Sequence, residues 1–254
     1  MGGFVAAPGG LMAKVLGIPL IIHEQNRVVG TTNTLLAKMA TRVLEGFPDS
    51  FAPKFHAICT GNPLRKAILE KALEPHPLEN TALNVLIVGG SQGAQILNEV
   101  VPQALSLIQS PVTIYHQTGV AMQSDVAAHY ANLNMKANVQ AFIDDMASAY
   151  AWADLIICRA GAMTVSEVSA MGLSAIFIPL PNAIDDHQTY NAHYLTQVNA
   201  AILLKQSDLT AQTLVDAIEQ ISENLPQRRA IAQSFAYLDA TADVAKFCIA
   251  EAKA

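Results

Sequence analysis

The sequence predicts an α/β protein built on a parallel sheet covered on both faces. Three observations carry this. Short runs such as VLIV (85–88), LIIC (155–158) and AIFI (175–178) are apolar throughout, without the polar alternation of a sheet that has one wet face. Each is followed by a longer stretch with helical spacing, the βα alternation of a doubly wound fold. The strand-to-helix seams carry glycine, the residue that lets backbone turn sharply.

The elements follow in order. PLIIHE (19–24) reads as a strand, and TNTLLAKMATRVLEGF (32–47) has helical spacing after a threonine/asparagine start. HAICTG (56–61) is another short strand, and residues 62–83 hold a helical piece and a Pro-containing polar connector. NVLIVGG (84–90) opens a fresh series, continued by strands at 112–119, 138–143, 153–161, 174–181 and 200–206. Helical runs lie between them at 94–109, 120–133, 145–151, 164–171, 187–197 and 210–221, and DATADVAKFCIAEAKA (239–254) reads as a terminal helix. The series from residue 84 makes a complete doubly wound domain. The two strands before residue 62 are too few for a sheet of their own, so residues 1–61 read as part of a domain and the boundary falls near TGNPLR (60–65). Strands such as PLIIHE then lack neighbours, which leaves edges open to association.

Composition bounds the class. Apolar residues make up 52% and charged residues 14% of 254, enough for a sizeable core and against disorder. No apolar run reaches the roughly 18 residues of a membrane span; GLSAIFIPLP (172–181) comes nearest. The start, MGGFVAAPGG, has no basic region of a secretory signal. Cys59, Cys158 and Cys248 are scattered, without C-x-x-C spacing, as in reduced thiols of a cytosolic protein. Residues 1–71 hold 8 Lys/Arg against 4 Asp/Glu and residues 72–254 hold 7 against 17. The acidic bulk argues against nucleic acid as a partner. The basic N-terminal part either faces anionic lipid or is an ordinary uneven surface.

Four segments carry candidate chemistry. GGSQGA (89–94) joins a strand to a helix. A helix N-terminus has free N–H groups and the positive end of the dipole, so such a seam suits a diphosphate, with the Ser91 hydroxyl as an added donor. It lacks the P-loop lysine and is not G-x-G-x-x-G; close strand–helix packing is the alternative reason for its glycines. LIICRAGAMTVSE (155–167) repeats the layout. Its Thr164 and Glu167 form either a capping box or, through Glu167, an acceptor for a ribose diol. In PNAIDDHQTYNA (181–192), His187 and Gln188 open a helix at the C-terminal edge of the sheet, and Asp185 or Asp186 caps it; the cluster is too compact for a metal site. In IIHEQN (21–26), His23 and Glu24 are either an acid/base pair or the loop and cap of the next helix. The remaining histidines have no recognisable partner, and no nucleophile elbow or H-E-x-x-H occurs.

Taken together, MGGFVAAPGGLMAKVLGIPLIIHEQN, GNPLR, VGGSQGAQILN, FIDDMASAYAWADLIICRAGAMTVSE and DDHQTYNA resemble the MurG family of peptidoglycan glycosyltransferases, in the family's motif order. The resemblance implies a GT-B architecture, two Rossmann-like domains facing across a cleft. It implies inverting transfer of N-acetylglucosamine from UDP-GlcNAc to the undecaprenyl-linked muramyl-pentapeptide acceptor, lipid I, giving lipid II. The setting is the cytoplasmic face of the inner membrane, with that membrane surface and other cell-wall synthesis proteins as partners. Carried over by motif, the donor contacts are Asn26, Arg65, Ser91, the Ile143 backbone at the uracil, Ala162, Met163, Thr164, Val165, Ser166 and Glu167 along ribose and phosphates, and Gln188 at the sugar. No cofactor is implied, and no D-x-D motif points to a metal. The family's first Gly-rich turn, G-G-T-G-G-H, with its proposed general base, has no counterpart here, and Phe4 stands where some relatives carry tyrosine. The expectation is therefore residues 1–61 as an incomplete acceptor- and membrane-facing domain, 62–234 as the UDP-GlcNAc-binding domain and 235–254 as a helix packing back on the first. The donor site is intact, the acceptor site incomplete, and Glu24 and His23 are the candidate catalytic pair. A non-catalytic nucleotide-sugar-binding module, or another GT-B enzyme such as a UDP-GlcNAc epimerase, is the alternative.

Overall fold

The computed structural model describes residues 5–75, 82–90, 93–181 and 186–252. The described residues form two parallel sheets. The first has β1 (Ile21–Glu24), β2 (Arg42–Glu45) and β3 (Ile58–Cys59) in that spatial order, with β1 at an edge. Ile21–Glu24 pair with Arg42–Glu45 residue for residue. Helices α1 (Ala6–Val15) and α2 (Thr31–Leu36) accompany it, and Ile22, Leu36, Val43 and Phe51 form its small core. The segment 32–47, expected to be one helix, is α2 followed by β2. Val43 and Leu44 are both buried although they point to opposite sides of the strand, so the four residues Arg-Val-Leu-Glu show no strict alternation and periodicity does not separate them from a helix. Helix α1 lies in a stretch where the sequence pattern marks no element. Its Gly10 is where α2 comes closest; a Cβ there would meet the Leu36 side chain.

The second sheet has six parallel strands: β4 (Leu83–Val88), β5 (Val112–Gln117), β6 (Ala137–Gln140), β7 (Leu155–Cys158), β8 (Ser174–Phe177) and β9 (Ala201–Leu203). Their spatial order is β6-β5-β4-β7-β8-β9. One face presents Val85, Ile87, Leu155, Ile157 and Ile176 to α4 (Gln95–Leu107), α5 (Gln123–Asn132) and α9 (Ala211–Ser222). The other presents Leu86, Ile156, Cys158, Ala175 and Phe177 to α3 (Lys66–Ala72), α6 (Met146–Trp152), α7 (Ala162–Ala170), α8 (His187–Thr196) and α10 (Leu225–Ser234). This alternation is why the strands read as unbroken apolar runs. Each such aliphatic side chain contributes about 1.5–3 kcal/mol on burial. Helix α10 escaped the sequence reading because its surface is polar. Its buried Arg229 donates to the Gly172 carbonyl (3.0 Å) and lies 3.8 Å from Asp154.

The chain passes between the two sheets at residues 60–65 and comes back past them before α11 (Ala240–Ala252). Helix α3 packs on α6 and α7. Helix α11 reaches the first sheet through an ion pair from Arg42 to Glu251 (2.7 Å). Gly61 has φ +78°, and a Cβ on it would overlap the Cβ of Tyr237. Gly61→Ala should therefore cost about 2–4 kcal/mol, combining a left-handed backbone with overpacking; urea unfolding measures it.

His116 is a core residue with two partners. Asn98 donates its amide N–H to the Thr118 carbonyl (3.0 Å), so its Oδ1 accepts from His116 Nε2 (3.1 Å). Nδ1 then accepts the Tyr130 hydroxyl (3.0 Å). Burial lowers the His116 pKa from 6.5 to about 3. The folded state thus favours the neutral ring, and the stability this contributes is full above pH 6.5 and is lost as pH falls towards 3. The expected outcome is a slope of about 1.4 kcal/mol per pH unit from this residue below pH 6. In His116→Gln, denaturant titrations at several pH values should show the slope reduced by about one proton.

Candidate functional site

Strands β4 and β7 are neighbours, yet the connections that leave them run in opposite directions, β4 towards β5 and β7 towards β8. The loops therefore diverge and a crevice opens beyond the strand ends, the position where open α/β sheets hold ligands. Here it is an open cleft of about 510 Å³, lined from β4–α4 by Gly89, Gly90 and Gly93, from β7–α7 by Arg159, Gly161 and Thr164, and from α8 by Gln188.

The glycines of the first seam have separate reasons. A Cβ at Gly89 would overlap the Ala94 backbone, and one at Gly93 (φ +76°) would overlap the Thr118 carbonyl. Those two answer to the fold. Gly90 (φ +91°) faces open space, and its carbonyl accepts from Gln117 Nε2 (2.9 Å) and the Gly93 amide (2.9 Å). Ser91 and Gln92 lie outside the described residues, as does Asp185. Helices α4 and α7 both begin at this cleft, at Ala94 and Gly161, and neither N-terminus has a side-chain cap. Both present the positive end of the helix dipole.

The capping-box alternative for Thr164 is overturned. Helix α7 starts at Ala162 with Gly161 as N-cap, so Thr164 is already inside the first turn. The Glu167 carboxylate instead takes Arg65 (2.9 Å) on one oxygen and the Tyr150 hydroxyl (2.9 Å) on the other. Glu167 is buried while Arg65 is more than half exposed. Of the other residues on this helix, Ala162 and Val165 are buried in the core, Met163 packs against it, and Ser166 Oγ accepts from Asn62 (3.0 Å). Ile143 is buried in the core shared with α6 and α7 and does not line this cleft. Gln188 is held by its carbonyl, which accepts the Leu180 amide (2.9 Å), and among the described residues its NH₂ has no partner where the side chain lines the cleft.

Sequence reasoning passed over Arg159. One guanidinium nitrogen donates to the carbonyls of Ile178 (3.0 Å) and Pro179 (3.1 Å), and burial lowers the pKa from the usual arginine value. A positive charge thus lines the cleft at the end of β7, tied to the chain that leaves β8. Its signal was a lone basic residue between a fully apolar strand and a glycine.

The end of β1 is tied to the same region. Asn191, fully buried on α8, donates to Asn26 Oδ1 (3.2 Å) and to the Ala160 carbonyl (3.2 Å), and accepts the Arg27 amide (2.9 Å). Asn62 donates to the Gln25 carbonyl (3.0 Å) as well as to Ser166. His23 and Glu24 are not hydrogen-bonded to each other among the described residues. Glu24 is buried and accepts from the Asn26 and Gly30 amides and the Asn26 and Asn33 side chains at 2.8–3.3 Å, which ties the loop after β1 to α2 without a side-chain cap on the helix. His23 Nε2 donates to the Gly61 carbonyl (2.9 Å), and burial, the largest influence, lowers its pKa. At the start of α8, Asp186 occupies the N-cap position without capping a backbone amide and accepts the Thr189 hydroxyl (2.7 Å). Among the described residues no group of three His, Cys, Asp or Glu side chains is arranged around a metal position.

Residues 84–246 match the glycosyltransferase family 28 C-terminal domain and residues 1–45 the corresponding N-terminal domain. The UDP-N-acetylglucosamine–N-acetylmuramyl-(pentapeptide) pyrophosphoryl-undecaprenol N-acetylglucosamine transferase of Methylococcus capsulatus is 52% identical over the whole chain and 72% of its own length. The transferase of that name from Psychromonas ingrahamii is 46% identical over 98% of the chain and 71% of its length. Among solved structures, Acinetobacter baumannii MurG superposes with a TM-score of 0.87 at 42% identity, over 97% of this chain and 72% of that one. A UDP-GlcNAc 2-epimerase from Neisseria meningitidis superposes at 0.66 with 11% identity, over 96% and 72%, which speaks for the fold alone. The chain has the GT-B fold and belongs to glycosyltransferase family 28, in the group of MurG-type N-acetylglucosamine transferases.

Proposed function

We propose that the chain is the donor-binding part of an inverting transferase that moves N-acetylglucosamine from UDP-GlcNAc to an undecaprenyl-linked muramyl-pentapeptide acceptor, making lipid II for the cell wall. The observation that carries this is the cleft at the β4/β7 divergence, where two uncapped helix N-termini and Arg159 converge. Residues 62–234 then form the UDP-GlcNAc-binding domain, residues 1–61 belong to the acceptor- and membrane-facing domain, and 235–254 return to it. No described helix is long and apolar enough to cross a membrane, and this reading has the protein lie peripherally on the cytoplasmic face of the inner membrane.

The chemistry is one in-line displacement at the anomeric carbon. The acceptor oxygen forms its bond to C1 as the bond to the UDP oxygen breaks, so negative charge grows on the diphosphate. The α4 and α7 amides, Ser91 and Arg159 stabilise that charge more than the ground state, which is the form of binding that accelerates reaction. The Ile143 backbone meets the uracil, Glu167 and the 162–166 turn meet the ribose and phosphates, and Gln188, with Asn26 opposite, meets the sugar. Arg65 contributes by holding Glu167. Glu24, with its oxygens already engaged, acts by shaping the loop that carries Asn26. His23 keeps only its Nδ1 lone pair for the departing acceptor proton.

Calorimetric titration tests the reading. UDP should bind without added divalent metal, and uridine far more weakly. Arg159→Ala should weaken UDP about 10-fold or more, the loss of a charge-assisted contact to phosphate, and leave uridine unchanged. No heat from UDP at millimolar concentration would remove the donor site.

A further inference from the structure

We propose that Tyr150 is a positioning residue for nucleotide binding, its hydroxyl fixing the Glu167 carboxylate in the one orientation that meets the ribose diol. This rests on the donor-site reading above and adds a residue to it. Tyr150 lies on α6 with its ring fully buried, and its hydroxyl donates to Glu167 Oε2 (2.9 Å). A phenylalanine would fill the same volume; the hydroxyl's described partner is this carboxylate. A carboxylate has about four lone-pair positions. Two are occupied here, one by Tyr150 and one by Arg65, and two remain for a diol.

The two donors differ in kind. The Arg65 side chain is 58% exposed, so its grip is weakened by water and salt and by the entropy of a long side chain. Tyr150 is rigid and dry. Of the two, it is the one that sets a direction. Helix α6 is itself fixed at its start, where Asp145 accepts the Ser148 amide (3.0 Å), two residues beyond Ile143. One short helix therefore joins the backbone at the base to the carboxylate at the ribose, and the Tyr150–Glu167 bond closes the link. Burial pushes the Tyr150 pKa well above the ordinary phenol value, so the group remains a donor throughout the working range.

The test is calorimetry on the full chain with UDP, 2′-deoxy-UDP and 3′-deoxy-UDP. The unaltered protein should bind UDP about tenfold more tightly than at least one deoxy form. Tyr150→Phe should weaken UDP about three- to tenfold and leave that deoxy form within twofold, so discrimination collapses. In the Glu167→Gln background the same change should add no further loss, because the effect runs through the carboxylate. UDP binding with undiminished discrimination in Tyr150→Phe overturns the inference alone. So does equal weakening of all three ligands, the mark of a packing role, and so does an unaltered protein that binds UDP without discrimination. An unaltered protein that binds no UDP overturns the donor-site reading as well.

Discussion

Parallel strands cannot be joined without a crossover, and when successive crossovers run opposite ways from the middle of a sheet, the loops at that point part company. The structure depends on this between β4 and β7. Backbone amides at the starts of α4 and α7 are left without intrahelical acceptors, and the divergence turns both sets into one opening. Nothing else in the molecule would bring Gly90, Arg159 and Gln188, far apart in the chain, around a single cleft. The side chains then refine a field that the backbone already supplies.

The second organising feature is polar. The end of β1 meets the larger sheet's unit through amide groups of Asn26, Asn62 and Asn191, while the imidazole of His23 holds the connecting segment at Gly61. Asn191 touches the first unit and the β7–α7 turn at once. It couples the placement of Asn26 to the shape of that turn. Such contacts exchange with water at small net cost, unlike the aliphatic packing that binds each sheet to its own helices.

Much of this was legible in the sequence. The strands buried on both faces declared themselves as unbroken apolar runs, and the glycine seams marked where strands give way to helices. Strand β2, flanked by Arg42 and Glu45, lacks such a run, and Val43 and Leu44 follow a helix without a turn signal. Helix α1 was hidden by Pro8, Gly9 and Gly10, and α10 by a polar surface that leans on Arg229. In the site, Glu167 and Gln188 stood in recognisable motifs. Tyr150, Asn62 and Asn191 stood in motifs too, but their contacts were not legible, because their partners are 17, 104 and 165 residues away, and nothing local in a sequence records a contact at that separation. Thr164 misled in the opposite way: T-x-x-E has the spacing of a cap, but Gly161 had already started the helix.

Gly61 lies against Tyr237 and Ala240, so the two passages of chain between the sheets run side by side. Two adjacent tethers leave a pair of bodies essentially one axis about which to turn, as a double-leaved hinge does. Sliding and twisting apart are opposed by covalent chain, while opening is opposed by the amide contacts and by Phe47 packed edge-on against Tyr194. The paired crossings thus favour rotation about their common line over other relative motions of the two sheets.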